Sequence, residues 1–202
     1  MPVLPANLCK ITTGFLDTVN DVGVASLVAG DISERSGQLG KIYEFTNAQA
    51  LAHSSVPATQ RLYCGWYQYV KAAGALSRGQ IVSWDTFANS GWIGFSVLPI
   101  AAAANDGRIA GVALGTVTSG RYCFIQVPGI GLANVLFRAA ITNAAIGASV
   151  FQLTATATAD AIADATAVIG AGAAGLRSYL GVAENLPVNN TITLVRFGAN
   201  IG

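Results

Sequence analysis

Two stretches of this chain come back, altered but legible, later in the sequence. "AITNAAIGASVFQL" (140–153) echoes "KAAGALSRGQIVSW" (71–84): small residues, a glycine, one residue, then an apolar run. "YLGVAENLPVNNTITLVRFG" (179–198) echoes "IAGVALGTVTSGRYCFIQVPG" (109–129): a Gly-Val-Ala strand, a polar turn, a second strand, then glycine. The offset from Gly79 to Gly147 is nearly the same as that from Gly111 to Gly181. Two anchors with nearly one offset restrict the fold, because whatever unit the first copy forms must also suit the second.

The repeated text reads as strands. "RLYCGWYQYVKA" (61–72), "GQIVSWD" (79–85), "GWIGFSVL" (91–98), "RIAGVALGTV" (108–117) and "RYCFIQV" (121–127) are rich in β-branched and aromatic residues. Turn signals separate them: "NDG" at 105–107 and "SG" at 119–120, residues that tolerate positive φ. Short strands at such spacing predict an all-β, sandwich-like or barrel-like fold. The expected organisation is an irregular or extended arm over 1–62, a first β-module over 63–132 and a second over 133–202, with at most short helices. In the arm, "KIYEF" (41–45) is the one strand candidate; in the second module the Ala-rich stretch near 159–168 permits a short helix.

One string suggests another fold. "VIGAGAAGL" (168–176) spells the glycine fingerprint of a dinucleotide-binding strand-to-helix turn. That fingerprint needs a βαβ unit and an acid roughly 20 residues on for the ribose. Between Gly175 and Gly202 the one acid is Glu184, which follows Gly170 too closely and falls within an expected strand. Asn189 and Asn190 stand where the ribose acid belongs. The string is therefore expected to be a loop or short strand connecting elements of the second module, and no cofactor is expected.

Catalytic and metal sites are equally hard to assemble. His53 is the only histidine, and Ser54 and Ser55 beside it read as loop residues. Asp160 and Asp164, four apart, would share one face of the short helix as its polar side. Cys9, Cys64 and Cys123 are widely spaced, with no C-x-x-C, and are expected as reduced, partly buried thiols. Neither an enzyme nor a metal site is expected. The most apolar run, 92–104, is shorter than a membrane span and contains Pro99.

Charge bears on partners. Charged residues make up 10% of the chain, against about 25% in an average soluble domain, and the net charge is +1. The eleven basic residues are scattered singly, so no stripe for nucleic acid is present. A surface so poor in charge suits a protein that works inside an assembly. The aromatic cluster Tyr63, Trp66, Tyr67 and Tyr69, with Trp92, supplies candidate assembly contacts or core filling, or else a glycan platform.

The repeat carries a resemblance. Gly74, Gly79, Val82, Gly111, Val112, Ala113, Gly120, Val127 and Gly129 follow the pattern of small β-proteins that decorate the heads of tailed bacteriophages. Gly147, Val150, Gly181, Val182, Ala183 and Gly198 repeat it, with Asn190 at the turn glycine. What the chain resembles is a capsid decoration, or cement, protein family, over roughly 63–202. The resemblance implies a homo-oligomer (trimer or dimer), made in the host cytoplasm, that binds the major capsid protein on the virion's outer surface and stabilises the shell. It implies no catalytic residues, membrane or nucleic-acid partner. The competing expectations are a receptor- or glycan-binding virion module and a head-tail or tail component.

Overall fold

A computed structural model describes residues 39–40, 42–52, 61–85, 95–100, 109–129, 131–137, 141, 144–153, 157–162 and 176–197. The described chain is mostly strand, and the fold is all-β. Its first strand, β1 (Ile42–Phe45), is followed by one short helix, α1 (Asn47–Ala52), whose Ala50 N–H donates to Thr46 O at 3.0 Å. Strands β2 (Gly65–Ala72), β3 (Ile81–Trp84), β4 (Ser96–Pro99), β5 (Ile109–Ala113) and β6 (Tyr122–Val127) come next. They pair in the order β2-β4-β3-β5-β6, and β6 returns to β2, so the five strands close into a barrel. One pairing, β2 with β4, is parallel. Closure leaves these strands without a free edge.

The remaining strands form a second sheet: β7 (Gly131–Leu136), β8 (Ser149–Leu153), β9 (Ala159–Ile162), β10 (Leu176–Ala183) and β11 (Ile192–Phe197). Their order is β7-β11-β10-β8-β9, and a parallel bridge between Phe137 and Ala159 draws the two ends together. Strand for strand, β7 to β11 follow the path and pairing senses of β2 to β6. Gly79 N–H donates to Ala113 O at 2.8 Å, and Gly147 N–H donates to Ala183 O at the same distance. Gly120 takes φ 84 in the β5–β6 turn, and Asn190 takes φ 55 in the β10–β11 turn.

β9 departs from expectation. The Ala-rich stretch is a helix candidate by composition, but residues 159–162 are a strand paired with β8, Ala159 opposite Gln152 and Ile162 opposite Ser149. Alanine's helix preference is worth tenths of a kcal/mol per residue, and a neighbouring strand with open hydrogen-bonding groups outweighs it. Asp160 therefore sits in a strand rather than on a helical face, while Asp164 lies outside the described residues.

Two apolar clusters hold the fold. Val70, Val82, Val97, Val117 and Ile125 fill the barrel with its smaller residues. Phe137, Val150, Leu180, Val195 and Phe197 form the core of the second sheet, and Ile81, Ile100 and Val112 of the barrel complete it. β3 is thus buried on both faces: Val82 points into the barrel, and its neighbour Ile81 packs into the second core. Each such side chain contributes roughly 1.5–3 kcal/mol when removed from water.

The join between the two units is also a backbone join. In the barrel, Lys71 N–H donates directly to Phe95 O at 3.0 Å. The corresponding residues of the second sheet are Leu136 and Ala157, and barrel residues stand between them. Leu136 N–H donates to Gly79 O at 2.8 Å, and Ile81 N–H donates to Ala157 O at 2.9 Å. A Cβ on Gly79 would lie 3.0 Å from Leu136 N and 3.1 Å from Ile192 Cγ1, whereas one on Gly147 would meet nothing within 4 Å. Both glycines have positive φ, 76 and 81. Gly147→Ala is expected to cost only the left-handed conformation, about 1–2 kcal/mol. Gly79→Ala is expected to cost about 1–3 kcal/mol more, through crowding at the join. Equal urea midpoints for the two variants would contradict this packing.

Candidate assembly surface

The residues singled out as candidate contacts separate sharply. Tyr67 and Tyr69 are 3% and 0% exposed, which removes both from the contact set and makes them core residues. β2 alternates across the barrel wall, but its outer face is covered too, so its burial is nearly continuous. The Tyr69 ring stacks on Tyr122 at 5.7 Å and tilts against Phe124 at 5.1 Å. Tyr67 Oη donates to Tyr63 O at 2.5 Å and accepts from Tyr63 N–H at 3.2 Å. Desolvation of this phenol pushes its pKa well above the usual tyrosine range, despite the opposing hydrogen bond. Tyr63 is half-buried at that contact, and Trp92 lies outside the described residues.

Trp66 is different. It is 48% exposed, opposite Glu44 in the register of β1 against β2. Ile42 on β1 is 46% exposed, and Leu39 and Leu51 nearby in sequence are 38% and 73% exposed. Among the described residues β1 pairs with β2 alone and stands at the end of the strand order. Gln68 Nε2 donates to Gly40 O at 2.8 Å, and Gly40 N–H donates to Tyr69 O at 2.8 Å, which pins the chain leading into β1. Sequence reasoning finds Trp66 but not Ile42 or Leu51, since exposure of a single apolar residue depends on what the fold leaves uncovered. "NAQALA" is rich in good helix formers and follows a threonine, and that signal could have located α1.

A small cavity lies where the barrel meets the second sheet, lined by Arg61, Arg78, Tyr67, Gln126 and Asn134 among others. Gln126 Nε2 donates to Leu132 O at 2.7 Å, and Asn134 Nδ2 donates to Arg61 O at 3.3 Å, so this polar seam stitches the units together. Desolvation lowers the pKa of Arg78 there.

Cys64 and Cys123 are free thiols, the first half-buried and the second buried. Among the described residues no group of three His, Cys, Asp and Glu gathers as a metal site, and no helix is long and apolar enough to cross a membrane. Cys9, His53, Ser54, Ser55 and the stretch 168–175 of the glycine string lie outside the described residues; Leu176 opens β10. No protein-family model matches the chain, and no curated protein matches it.

Proposed function

We propose that the protein is a structural virion component that decorates the outside of a tailed-phage head, binding the major capsid protein and bridging its subunits. The observation that carries this reading is the surface around Trp66: exposed Trp66 and Ile42 on paired strands, β1 being terminal among the described strands, on a chain with few charges. An edge strand can extend a partner's sheet, and the apolar residues beside it supply contact area. Many weak contacts on a lattice of identical subunits add up to firm attachment. Binding only to the assembled shell stabilises that shell by mass action. The glycine and small-residue pattern, which resembles that of decoration proteins, supports the same reading.

The test is to add purified protein to heads that lack it, then count copies per particle and measure heat resistance. Hundreds of copies and a higher disruption temperature are expected, with Trp66→Ala reducing affinity about tenfold or more. Absence of binding would overturn the reading. A handful of copies per particle would place the protein at the neck or tail instead. Glycan binding that is lost in Trp66→Ala, without head binding, would make it a receptor-binding module.

A further inference from the structure

Two arginines from different parts of the chain meet at one cavity. Arg61 precedes β2 and Arg78 precedes Gly79, and both line the small space where the barrel meets the second sheet, with Tyr67, Gln126 and Asn134. Their main chains are held in place there. Arg61 O accepts from Asn134 Nδ2 at 3.3 Å. Beside Arg78, Gly79 N–H donates to Ala113 O at 2.8 Å, and Gly79 O accepts from Leu136 N–H at 2.8 Å. The join between the two units thus builds the cavity, with walls from both.

Charge at this cavity is one-sided. Arg78 is half-buried, and its loss of hydration acts against the charged form. A guanidinium keeps its proton at any ordinary pH, so it cannot escape that cost by becoming neutral. Among the described residues the carboxylates are Glu44, Asp85, Asp160 and Glu184, and none of them lines the cavity. Glu184 is engaged by Arg196 at 2.7 Å. Gln126 Nε2 donates to Leu132 O at 2.7 Å and the Tyr67 hydroxyl donates to Tyr63 O, so these neutral groups hold the wall and bring no negative charge. Two like charges beside a partly enclosed space raise each other's cost, and an anion between them removes it.

We infer that this cavity binds a compact monoanion, either a halide ion or one oxygen of a carboxylate, held by Arg61 and Arg78. The space admits roughly a single water-sized group, which leaves out phosphate and anything larger. Because Arg78 adjoins the Gly79 join, an anion bound here strengthens the attachment of the two units. This goes beyond the capsid reading, which concerns the Trp66 surface. A small ion in so small a site is expected to bind weakly, with a Kd of about 10 mM. At about 100 mM chloride the ratio of folded to unfolded protein then rises about tenfold.

Broadening of the chloride NMR signal by the purified full chain tests this directly. Wild type should broaden the line saturably, and Arg78→Gln and Arg61→Gln should each weaken binding about tenfold or more. Arg121→Gln is the control: it removes the same charge from an exposed barrel residue that does not line the cavity, and should change nothing. Circular dichroism checks folding, and two separate arginine variants keep the test readable if one of them fails to fold. The urea midpoint should also rise with chloride, more in wild type than in Arg78→Gln. Displacement of chloride by acetate would extend the ligand to a partner's carboxylate, and no displacement would confine it to halide. Absence of broadening in the wild type, equal broadening in all variants, or displacement by phosphate would overturn the inference.

Discussion

Gly181→Ala is expected to be among the most damaging single-methyl additions in the chain. Gly181 lies in β10 opposite Phe197 of β11. A Cβ there would land on the Arg196 carbonyl oxygen, with the Val195 side chain close behind. The obstacle is main chain, held in register because β11 is paired on both sides, with β10 and with β7. The residue also has φ 154, a region that side-chain-bearing residues seldom adopt. Overpacking and backbone strain together are expected to cost about 3–5 kcal/mol, a large share of the roughly 5–15 kcal/mol that keeps a domain folded. Gly111→Ala separates the two causes. Its Cβ would strike the Gln126 carbonyl in the same way, but without a positive φ, so it should be damaging to a lesser degree. Urea unfolding followed by circular dichroism decides the matter; a Gly181→Ala midpoint equal to wild type would mean that β10 and β11 are not in this register.

Phe137→Ala should be comparably severe for a different reason. Phe137 is fully buried and is one of the largest side chains in the core. It occupies the bridge to Ala159 that brings the ends of the second sheet together, within the cluster that barrel residues complete. Removing a buried phenylalanine costs about 3–5 kcal/mol, since the lost transfer energy is joined by a cavity the rigid backbone cannot fill. Leu51→Ala is the control: its side chain is 73% exposed, and a change within about 0.5 kcal/mol is expected. A Phe137→Ala loss below about 1 kcal/mol would place Phe137 outside the core.

What can be read from the sequence is local. The β-branched and aromatic runs mark β2, β3, β5 and β6 to within a few residues, because the pattern of a strand is contained in the strand. "KIYEF" locates β1 for the same reason. β9 is hidden, since "ADAI" has no strand signature and acquires its conformation from β8. The aromatic cluster reads as one surface candidate, although Tyr67 and Tyr69 are buried and Trp66 is exposed. Alternation alone would put Trp66 and Tyr67 on opposite faces, but it cannot say that the outer face, with Tyr67 and Tyr69, is covered while the opposite face is bare at Trp66. The exposure of Ile146 is equally illegible, because composition records that isoleucine is present and not that the fold leaves it bare.

The sharing of cores imposes a sequence of events in time. Every described residue of the barrel's inner cluster falls between Val70 and Ile125, so the barrel is expected to condense once that segment has been synthesised. The second core cannot be completed in the same self-sufficient way, because Ile81, Ile100 and Val112 form part of its wall. Gly79 and Ile81 also supply the acceptor and donor that Leu136 and Ala157 need. The earlier half of the chain is thus expected to act as a template on which the later half matures. A defect in the barrel should therefore be inherited by the second sheet, while a defect in the second sheet leaves the barrel's own core intact.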